Sequence, residues 1–327
     1  MAPDVVILIP VYNDWEALGL LISNLDQALG SQTGHFRLLI VDDGSNESPP
    51  PNLIVRHLDR IQTVQVLELS RNLGHQRAIA TGLCHVRDHI ACNAVVIMDG
   101  DGEDDPADVP RLLSMLTEHP RACIFAERLK RSEGLTFRIC YSAYRQLHRL
   151  LTGIPVRVGN FSVLPISQLR RIVTVSDLWN HYAASVVKAR LPVVRVPTNR
   201  ASRLAGKPQM NLVSLVVHGL SAMSVFSDRI GVRLLISAGL LGGLAGCLLF
   251  VLLGVREFTD VTIAPWAIST ALILCALVPL LMLLSFVFVF VILAGRESST
   301  VLPIRDYVYF VQEIRTQWPL NPNPTNT

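Results

Sequence analysis

The stretch Ala94-Val95-Val96-Ile97-Met98-Asp99-Gly100-Asp101 decides how the rest of the chain reads. Its apolar, β-branched run predicts a buried strand, and the acidic, glycine-containing turn ends that strand at once. The pattern occurs upstream as well. Val5 to Val11 is apolar and leads through Pro10-Val11-Tyr12-Asn13 into a loop, and Phe36 to Val41 runs into Asp42-Asp43-Gly44-Ser45. Between these two strands, Leu18, Leu21, Ile22, Leu25 and Leu29 recur at helical spacing within Trp15 to Leu29. Beyond Pro49-Pro50-Pro51, Val64 to Leu69 predicts a third strand and Gln76 to Val86 a helix. After Pro106 follow a helix, Val109 to Glu118, and a strand, Ala122 to Ala126. A β-α-β opening of this kind predicts an α/β domain whose ligands bind at the carboxyl ends of the strands, where the acidic turns lie.

Composition sets the second part of the architecture. Of 327 residues, 50% are apolar and 17% charged, a balance that puts part of the chain in contact with lipid. Leu234 to Val255 is 22 residues without a charge and Val261 to Gly295 is 35, each more than the ~20 that cross a bilayer. Gly239, Gly242, Gly243 and Gly246 suit close helix packing, and Pro279 is expected to kink the second span. Arg229 and Arg233 precede the first span and Arg296, Arg305 and Arg315 follow the second, whereas the link Arg256-Glu257-Phe258-Thr259-Asp260 has one basic residue. Both termini are therefore expected on the cytosolic side. The short run Val5 to Val11 follows Asp4 and is not expected to act as a signal peptide.

Six cysteines lack metal-type spacing and read as reduced thiols. Between Arg128 and Lys207, the ends not counted, stand 13 Arg and Lys against two acids, Glu133 and Asp177. So basic a stretch suits anionic headgroups or phosphates, or forms a solvated basic face. Phe137 to Leu151 is expected to be helical, with Arg138, Arg145 and Arg149 among apolar residues. Leu212 to Phe226 reads as an apolar helix, interfacial or buried. The tail from Trp318, rich in Pro and Asn, is expected to be disordered.

The chemistry concentrates in the acidic turns. Asp99 and Asp101, two residues apart at a loop mouth, offer hard oxygen ligands, and Mg²⁺ typically takes one or two carboxylates plus substrate phosphates. Glu103 continues the alternation as a possible third ligand, although a solvated loop gives the same residues. Asp42 and Asp43 suit hydrogen bonds to a ribose hydroxyl or a base imino group, or a capped turn.

The succession Ile9-Pro10-Val11-Tyr12-Asn13, Val41-Asp42-Asp43-Gly44-Ser45, Ser70-Arg71-Asn72-Leu73-Gly74-His75 and Asp99-Gly100-Asp101-Gly102-Glu103-Asp104 resembles family 2 glycosyltransferases of the GT-A fold. With two C-terminal spans the chain is most similar to the polyisoprenyl-phosphate glycosyltransferases, the group of dolichol-phosphate mannose synthase and the bactoprenol glucosyltransferases. The resemblance implies a Rossmann-like mixed sheet with flanking helices, followed by juxtamembrane helices and two transmembrane helices. By it, Pro10, Tyr12, Asp14 and Asp43 hold the nucleoside with Asp42 beside them, and Arg71 and Gly74 border the nucleotide pocket. Asp99 and Asp101 match the family's DxD pair, which holds Mg²⁺ or Mn²⁺ against the donor diphosphate. Glu103 stands where dolichol-phosphate mannose synthases often carry Gln. Glu127-Arg128 resembles the acidic-basic pair after the fifth strand, with Arg128 as a catalytic-site candidate, and Arg203-Leu204-Ala205-Gly206-Lys207 resembles the family's Arg-x-x-Gly-x-Ser-Lys, with Arg203 and Lys207 expected to meet phosphate. Gly159-Asn160-Phe161-Ser162-Val163 resembles Gly-Asp-Phe-Arg-Leu, with Asn160 and Ser162 replacing Asp and Arg.

These readings divide the chain into a catalytic domain over 1–165, an acceptor-side and juxtamembrane segment over 166–229, two spans within 230–295 and a cytosolic tail over 296–327. The expected partners are a nucleotide-sugar, a polyprenyl phosphate, the bacterial inner membrane and a second copy of the chain, with no nucleic acid. A sugar hydroxyl as acceptor needs a base, and from Phe161 to Ser227 the only acid is Asp177, which leaves it, His181 or the cluster Asp99 to Asp105. A lipid phosphate oxygen is already anionic. UDP- and GDP-linked donors, and undecaprenyl and dolichyl carriers, stay open. So do a saccharide acceptor, although the Gln-x-x-Arg-Trp motif of polysaccharide synthases does not occur, and a non-catalytic nucleotide-binding role. Lys207→Ala is expected to raise the KM for lipid phosphate more than that for donor; unchanged lipid kinetics would count against its acceptor role.

Overall fold

The computed structural model of the chain describes residues 4–51, 53–54, 57–128, 135–154, 159–206, 212–259, 264–297 and 301–319. The opening follows the expected order: β1 (Asp4–Val11), α1 (Trp15–Ala28), β2 (His35–Asp42), β3 (Ile61–Leu69), α2 (His75–His89) and β4 (Ala94–Ile97). β1 is flanked by β2 and β4, and β3 lies outside β2, all parallel. Their carboxyl ends therefore share one edge of the sheet.

Alternate residues of β1 point to opposite faces, as a strand's period of two requires. Val5, Ile7 and Ile9 pack with Leu18, Leu21, Ile22 and Leu25 of α1. Val6 and Leu8 pack with Ile79, Leu83 and Val86 of α2. Each such fully buried aliphatic side chain stabilises the fold by about 1.5–3 kcal/mol. Gly82 lets α2 sit close to the sheet: a Cβ there would come within 2.6 Å of Leu8 and 2.7 Å of Val41.

The chain continues through α3 (Val109–Glu118), β5 (Cys123–Arg128), α4 (Leu135–Thr152), β6 (Ser162–Pro165), α5 (Ile166–Ile172), α6 (Tyr182–Lys188), β7 (Val193–Thr198) and α7 (Leu212–Ser224). Two long helices follow, α8 (Ser227–Phe258) and α9 (Pro265–Glu297), then α10 (Pro303–Asp306) and β8 (Val311–Trp318). β6 runs antiparallel between β4 and β5, β7 pairs parallel with β5, and β8 pairs antiparallel with β3. The result is a mixed eight-stranded sheet in the order β7-β5-β6-β4-β1-β2-β3-β8. The expected fold class holds: a mixed α/β sheet, then two apolar helices long enough to cross a membrane.

Beyond residue 165, β7 extends the sheet. The segment after the long helices is no simple tail, since β8 forms the sheet's far edge and its last residue, Trp318, is one that was expected to be disordered; residues 320–327 lie outside the described residues. Nothing local announced β8, whose alternation Val311-Gln312-Glu313-Ile314-Arg315 is weak and needs β3 beside it. A buried Tyr307 helps to anchor this return, its hydroxyl donating to Asp88 Oδ2 of α2 at 2.9 Å.

The chain forms two compact units, the first of residues 1–138, 157–225 and 301–327, the second of residues 139–156 and 226–300. Within the second, Gly242 of α8 meets α9 closely: a Cβ there would lie 2.7 Å from Val278 Cγ1. The outward faces are apolar and uncovered, with Leu240 71% and Phe250 78% exposed. Water does not favour such a surface, and hydrocarbon does.

In the first unit, one carboxylate fixes the loop that leads from β3 into α2. Asp43, buried at the end of β2, accepts N–H bonds from Leu73 at 2.7 Å and Gly74 at 2.9 Å. Gly44 follows at φ 67°, where a Cβ would stand 2.5 Å from the backbone of Arg71 and Asn72. Only glycine combines that φ with that approach. Burial pushes the Asp43 carboxyl up to about 6, against the lowering effect of the two N–H donors and of His75. Because the folded value lies above the unfolded one, this group's contribution to stability is greatest below the ordinary carboxylate range and declines as pH rises to about 6. The clamp has the opposite dependence, since a protonated carboxyl offers one acceptor oxygen to two N–H groups. Amide exchange at Leu73 and Gly74, corrected for intrinsic rates, is expected to quicken roughly tenfold from pH 7 to pH 5 while Ile7 stays protected. Equal protection at both pH values would show that the carboxylate does not hold the loop.

Candidate active site

Because β4, β1 and β2 are adjacent and parallel, the loops after them stand side by side: Asp99 to Asp104, Tyr12 to Asp14, and Asp42 to Ser45. Pro10 is a buried member of β1 and Tyr12 is half-buried just past its end. Asn13 N–H donates to Ser45 Oγ at 2.9 Å, and Asn46 N–H to Asn13 Oδ1 at 2.8 Å, so the first and second strand ends are tied together. Asp42 is turned inward, accepting from Ser45 N–H at 2.9 Å. Asp43 holds Leu73 and Gly74, and Gly74, at φ 93°, opens α2. Arg71 beside it lies over the ring of Phe310 at 6.0 Å, and Ser70 N–H donates to Phe310 O at 2.9 Å. The segment after the long helices thus braces the loop that carries Arg71.

The turn after β4 is held from below. Asp99 N–H donates to Asp104 Oδ2 at 3.1 Å and Glu103 N–H to Asp101 Oδ1 at 3.0 Å. Gly100 sits where a Cβ would come within 3.1 Å of Val11 and 3.3 Å of Pro10 O. From the other side the segment 200–206 lies along the turn: Ala201 N–H donates to Glu103 O and Leu204 N–H to Asp101 O, both at 3.0 Å. Leu204 packs over Gly102, whose φ of 80° and missing Cβ make the room.

Basic side chains from two separate segments meet this turn. His75, the first residue of α2, places Nε2 3.2 Å from Asp99 Oδ1. Arg200 pairs with Glu103 through Nε, at 2.8 Å, and Nη2. Arg203 donates from Nη1 to Asp101 Oδ2 at 3.1 Å and from Nη2 to Asp14 Oδ2. Asp14 is the residue that precedes α1, yet its side chain does not cap that helix and goes to Arg203 instead. Burial raises the Asp101 carboxyl above its ordinary value, Asp99 and Glu103 add to the rise, and Glu103 N–H and Arg203 oppose it. Burial by itself would lower the His75 imidazole, but the charge of Asp99 and the bond to it leave it raised.

Sequence reasoning gave no role to His75 and Asn160, which stand within the motifs quoted above, and passed over Arg200. Asn160 Nδ2 lies 3.0 Å from His75 Nε2 while Gln76 Nε2 donates to Asn160 Oδ1 at 3.2 Å. Gln76 Oε1 in turn accepts from Tyr182 N–H at 2.8 Å. Asn160, which replaces an acid of the resembled motif, thus holds the start of α2, and Ser162 hydrogen-bonds to Tyr182 Oη at 2.9 Å. The run Ser70 to His75 was the available signal for His75. Of the remaining candidates, Lys207 and the side chain of Arg128 lie outside the described residues, and the Arg128 backbone ends β5 beside Thr198.

Among the described residues, no three His, Cys, Asp or Glu side chains converge as a ready metal site. Glu103, with its carboxylate engaged by Arg200, is the least disposed of the three expected ligands. Asp99 and Asp101 do fit a divalent cation that arrives with phosphate oxygens of its own: they are hard ligands at a loop mouth, and basic side chains already stand beside them.

The site's composition agrees with the comparisons. The chain matches Glycosyl transferase family 2 over residues 6–171. It is 27% identical over 270 residues, 80% of each chain, to the uncharacterized glycosyltransferase YkcC of Bacillus subtilis (strain 168). It is 27% identical over 132 residues to the dodecaprenyl-phosphate galacturonate synthase of Rhizobium johnstonii, covering 40% of this chain and 38% of that one. In fold it is similar to glucosyl-3-phosphoglycerate synthase from Mycobacterium tuberculosis, solved with Mn²⁺, UDP-glucose and phosphoglyceric acid, at a TM-score of 0.50 and 14% identity over 70% of this chain and 80% of that one. With the strand-end motifs in place on a GT-A-like sheet and the family match covering half of its length, the chain belongs to glycosyl transferase family 2.

Proposed function

We propose that this glycosyltransferase is anchored in a membrane and moves a sugar from a UDP- or GDP-linked donor to a polyprenyl phosphate, with inversion and release of the nucleoside diphosphate. The observation that carries the acceptor is the engagement of the two alternative bases that follow the acidic turn. Asp177, the only acid from Phe161 to Ser227, is paired with Lys188 at 2.9 Å. His181 is buried at the start of α6, where its Nδ1 accepts from Ala184 N–H at 3.4 Å. A hydroxyl nucleophile would need a base to take its proton. A phosphate monoester oxygen attacks the anomeric carbon as an anion, and the bond from that carbon to the diphosphate breaks with its electron pair leaving on the phosphate oxygen. The Rhizobium relative, whose name specifies a dodecaprenyl phosphate, and the two apolar helices support the same acceptor.

Within this reading, Asp43, Asp42, Asp14 and Tyr12 line the nucleoside side, Arg71 and Gly74 border it, and Asp99 and Asp101 would hold Mg²⁺ or Mn²⁺. That cation would stabilise charge developing on the leaving diphosphate. Arg203, Lys207 and Arg128 would supply cations to the phosphates. The return of β8 to β3 places residues 311–318 in the same sheet as the N-terminal strand, so α8 and α9 crossing a bilayer once each leaves both ends of the chain on one side. That side is the cytosolic one by the basic flanks. A homo-oligomer fits the glycine-rich α8.

The test is transfer of label from UDP- and GDP-sugars to undecaprenyl phosphate by the purified protein with Mn²⁺ or Mg²⁺ and an EDTA control. A labelled, acid-labile lipid that disappears with EDTA is expected; donor hydrolysis without labelled lipid would redirect the acceptor to a saccharide. Asp101→Asn is expected to lower turnover about 100-fold or more while the protein still folds and inserts. An active, metal-independent Asp101→Asn enzyme would remove the metal assignment.

A further inference from the structure

Arg203 links two strand ends that carry different parts of the site. Its guanidinium, with the side chain only 15% exposed, donates to Asp14 after β1 and to Asp101 after β4, while its Nε donates to Ala205 O at 2.9 Å. Three of the five N–H groups of the guanidinium are thereby committed in one plane. One positive charge faces two carboxylates, with Asp99 and Glu103 adjoining. The backbone that delivers it is fixed independently by Ala201 and Leu204 donating to the acidic turn. Hence the side chain can leave Asp101 without the segment 200–206 coming away.

We infer that Arg203 is an exchangeable counter-ion: it neutralises Asp101 and Asp14 in the donor-free site and yields Asp101 to the divalent cation when that cation arrives with the nucleotide diphosphate. The inference rests on the metal-dependent transfer proposed above. A cation arriving alone must displace a well-placed guanidinium from a carboxylate and shed water that it releases reluctantly. A cation arriving with a diphosphate meets a different balance. The phosphates complete its coordination and also give the displaced guanidinium new oxygens, whose geometry it matches in a bidentate way. Metal and nucleotide are thereby positively coupled, and the coupling is reciprocal. Arg203 is its source, acting on metal binding by occupying the ligand's oxygen and on nucleotide binding by turning to the phosphates. The site is thus guarded against loading with metal alone, and the same arginine is released to face phosphate only once donor is present.

Binding of Mn²⁺ to the full chain in detergent, read from the free-ion paramagnetic resonance signal with and without UDP or GDP, tests this without any turnover. In the native protein Mn²⁺ alone is expected to bind weakly and either nucleotide to tighten it. Arg203→Gln is expected to bind Mn²⁺ alone about tenfold more tightly, and the tightening by nucleotide to shrink by about tenfold. Arg203→Lys, which keeps the charge but cannot bridge two carboxylates in a plane, is expected to fall between. An Arg203→Gln protein that binds Mn²⁺ alone no better than the native one, or that keeps the full nucleotide effect, overturns the inference. Should that variant fail to fold, Asp14→Asn removes one of the two anchors instead, and an undiminished nucleotide effect there overturns it equally. A native protein that binds no Mn²⁺ even with UDP and GDP sinks both this inference and the metal reading beneath it, whereas a nucleotide effect insensitive to Arg203 sinks only the inference.

Discussion

Carboxylates crowded at the ends of adjacent parallel strands are the constraint on which this structure turns. β1 and β4 are neighbours with their carboxyl ends on one edge, so Asp14 and Asp101 come within reach of one guanidinium. Burial, with repulsion from Asp99 and Glu103 added to it, is why Asp101 holds its proton more tightly than an exposed aspartate. The fold answers with basic side chains from places far apart in the chain: His75 from the start of α2, and Arg200 and Arg203 from the segment after β7. Residues more than 100 positions apart therefore depend on one another for a stable charge arrangement, as Asp14 and Arg203, 189 positions apart, illustrate.

What the sequence revealed about this arrangement follows from how local each signal is. A strand buried on both faces must be apolar throughout, so β1, β2 and β4 were legible within one or two residues, and the turns behind them showed their acids directly. α1 was legible by period. β6, four residues long, and β8, with its mixed polarity, make sense only beside the strands they pair with, and that pairing is not written in their own composition. The same limit applied at the site. The acids were visible because they cluster in sequence, whereas their counter-ions were scattered among many basic residues between Arg128 and Lys207. Nothing in the spacing of Arg200 separated it from Arg195 or Arg190.

β8 also changes how the apolar helices are understood. A strand that follows them joins the sheet built by the N-terminal half, and Phe310, just before it, supports the loop of Arg71. The long helices are therefore an insertion between two parts of a single unit, residues 1–138 with 157–225, and residues 301–327. An element inserted in that way must leave and return on the same side of any bilayer it enters, and two crossings are the fewest that satisfy this. The uncharged runs in α8 and α9 are long enough to supply that number.

Glu103 shows how charge at such a site is conserved as a sum. The dolichol-phosphate mannose synthases that the chain resembles often carry Gln there, and a glutamate adds one negative charge to a turn that already holds Asp99, Asp101 and Asp104. Left alone, the extra carboxylate would raise Asp101 further and strengthen the attraction of the empty site for any cation. Arg200 cancels it through a two-point contact of Nε and Nη2 with the same Oε2 oxygen. That contact is reinforced by the backbone bridge between Asp104 and Arg200, so the compensating charge is built into the fold. With Glu103 matched in this way, Asp99 and Asp101 are the two carboxylates that the proposed function assigns to a metal. These two carboxylates are within the number that Mg²⁺ typically takes from protein when phosphates complete its shell.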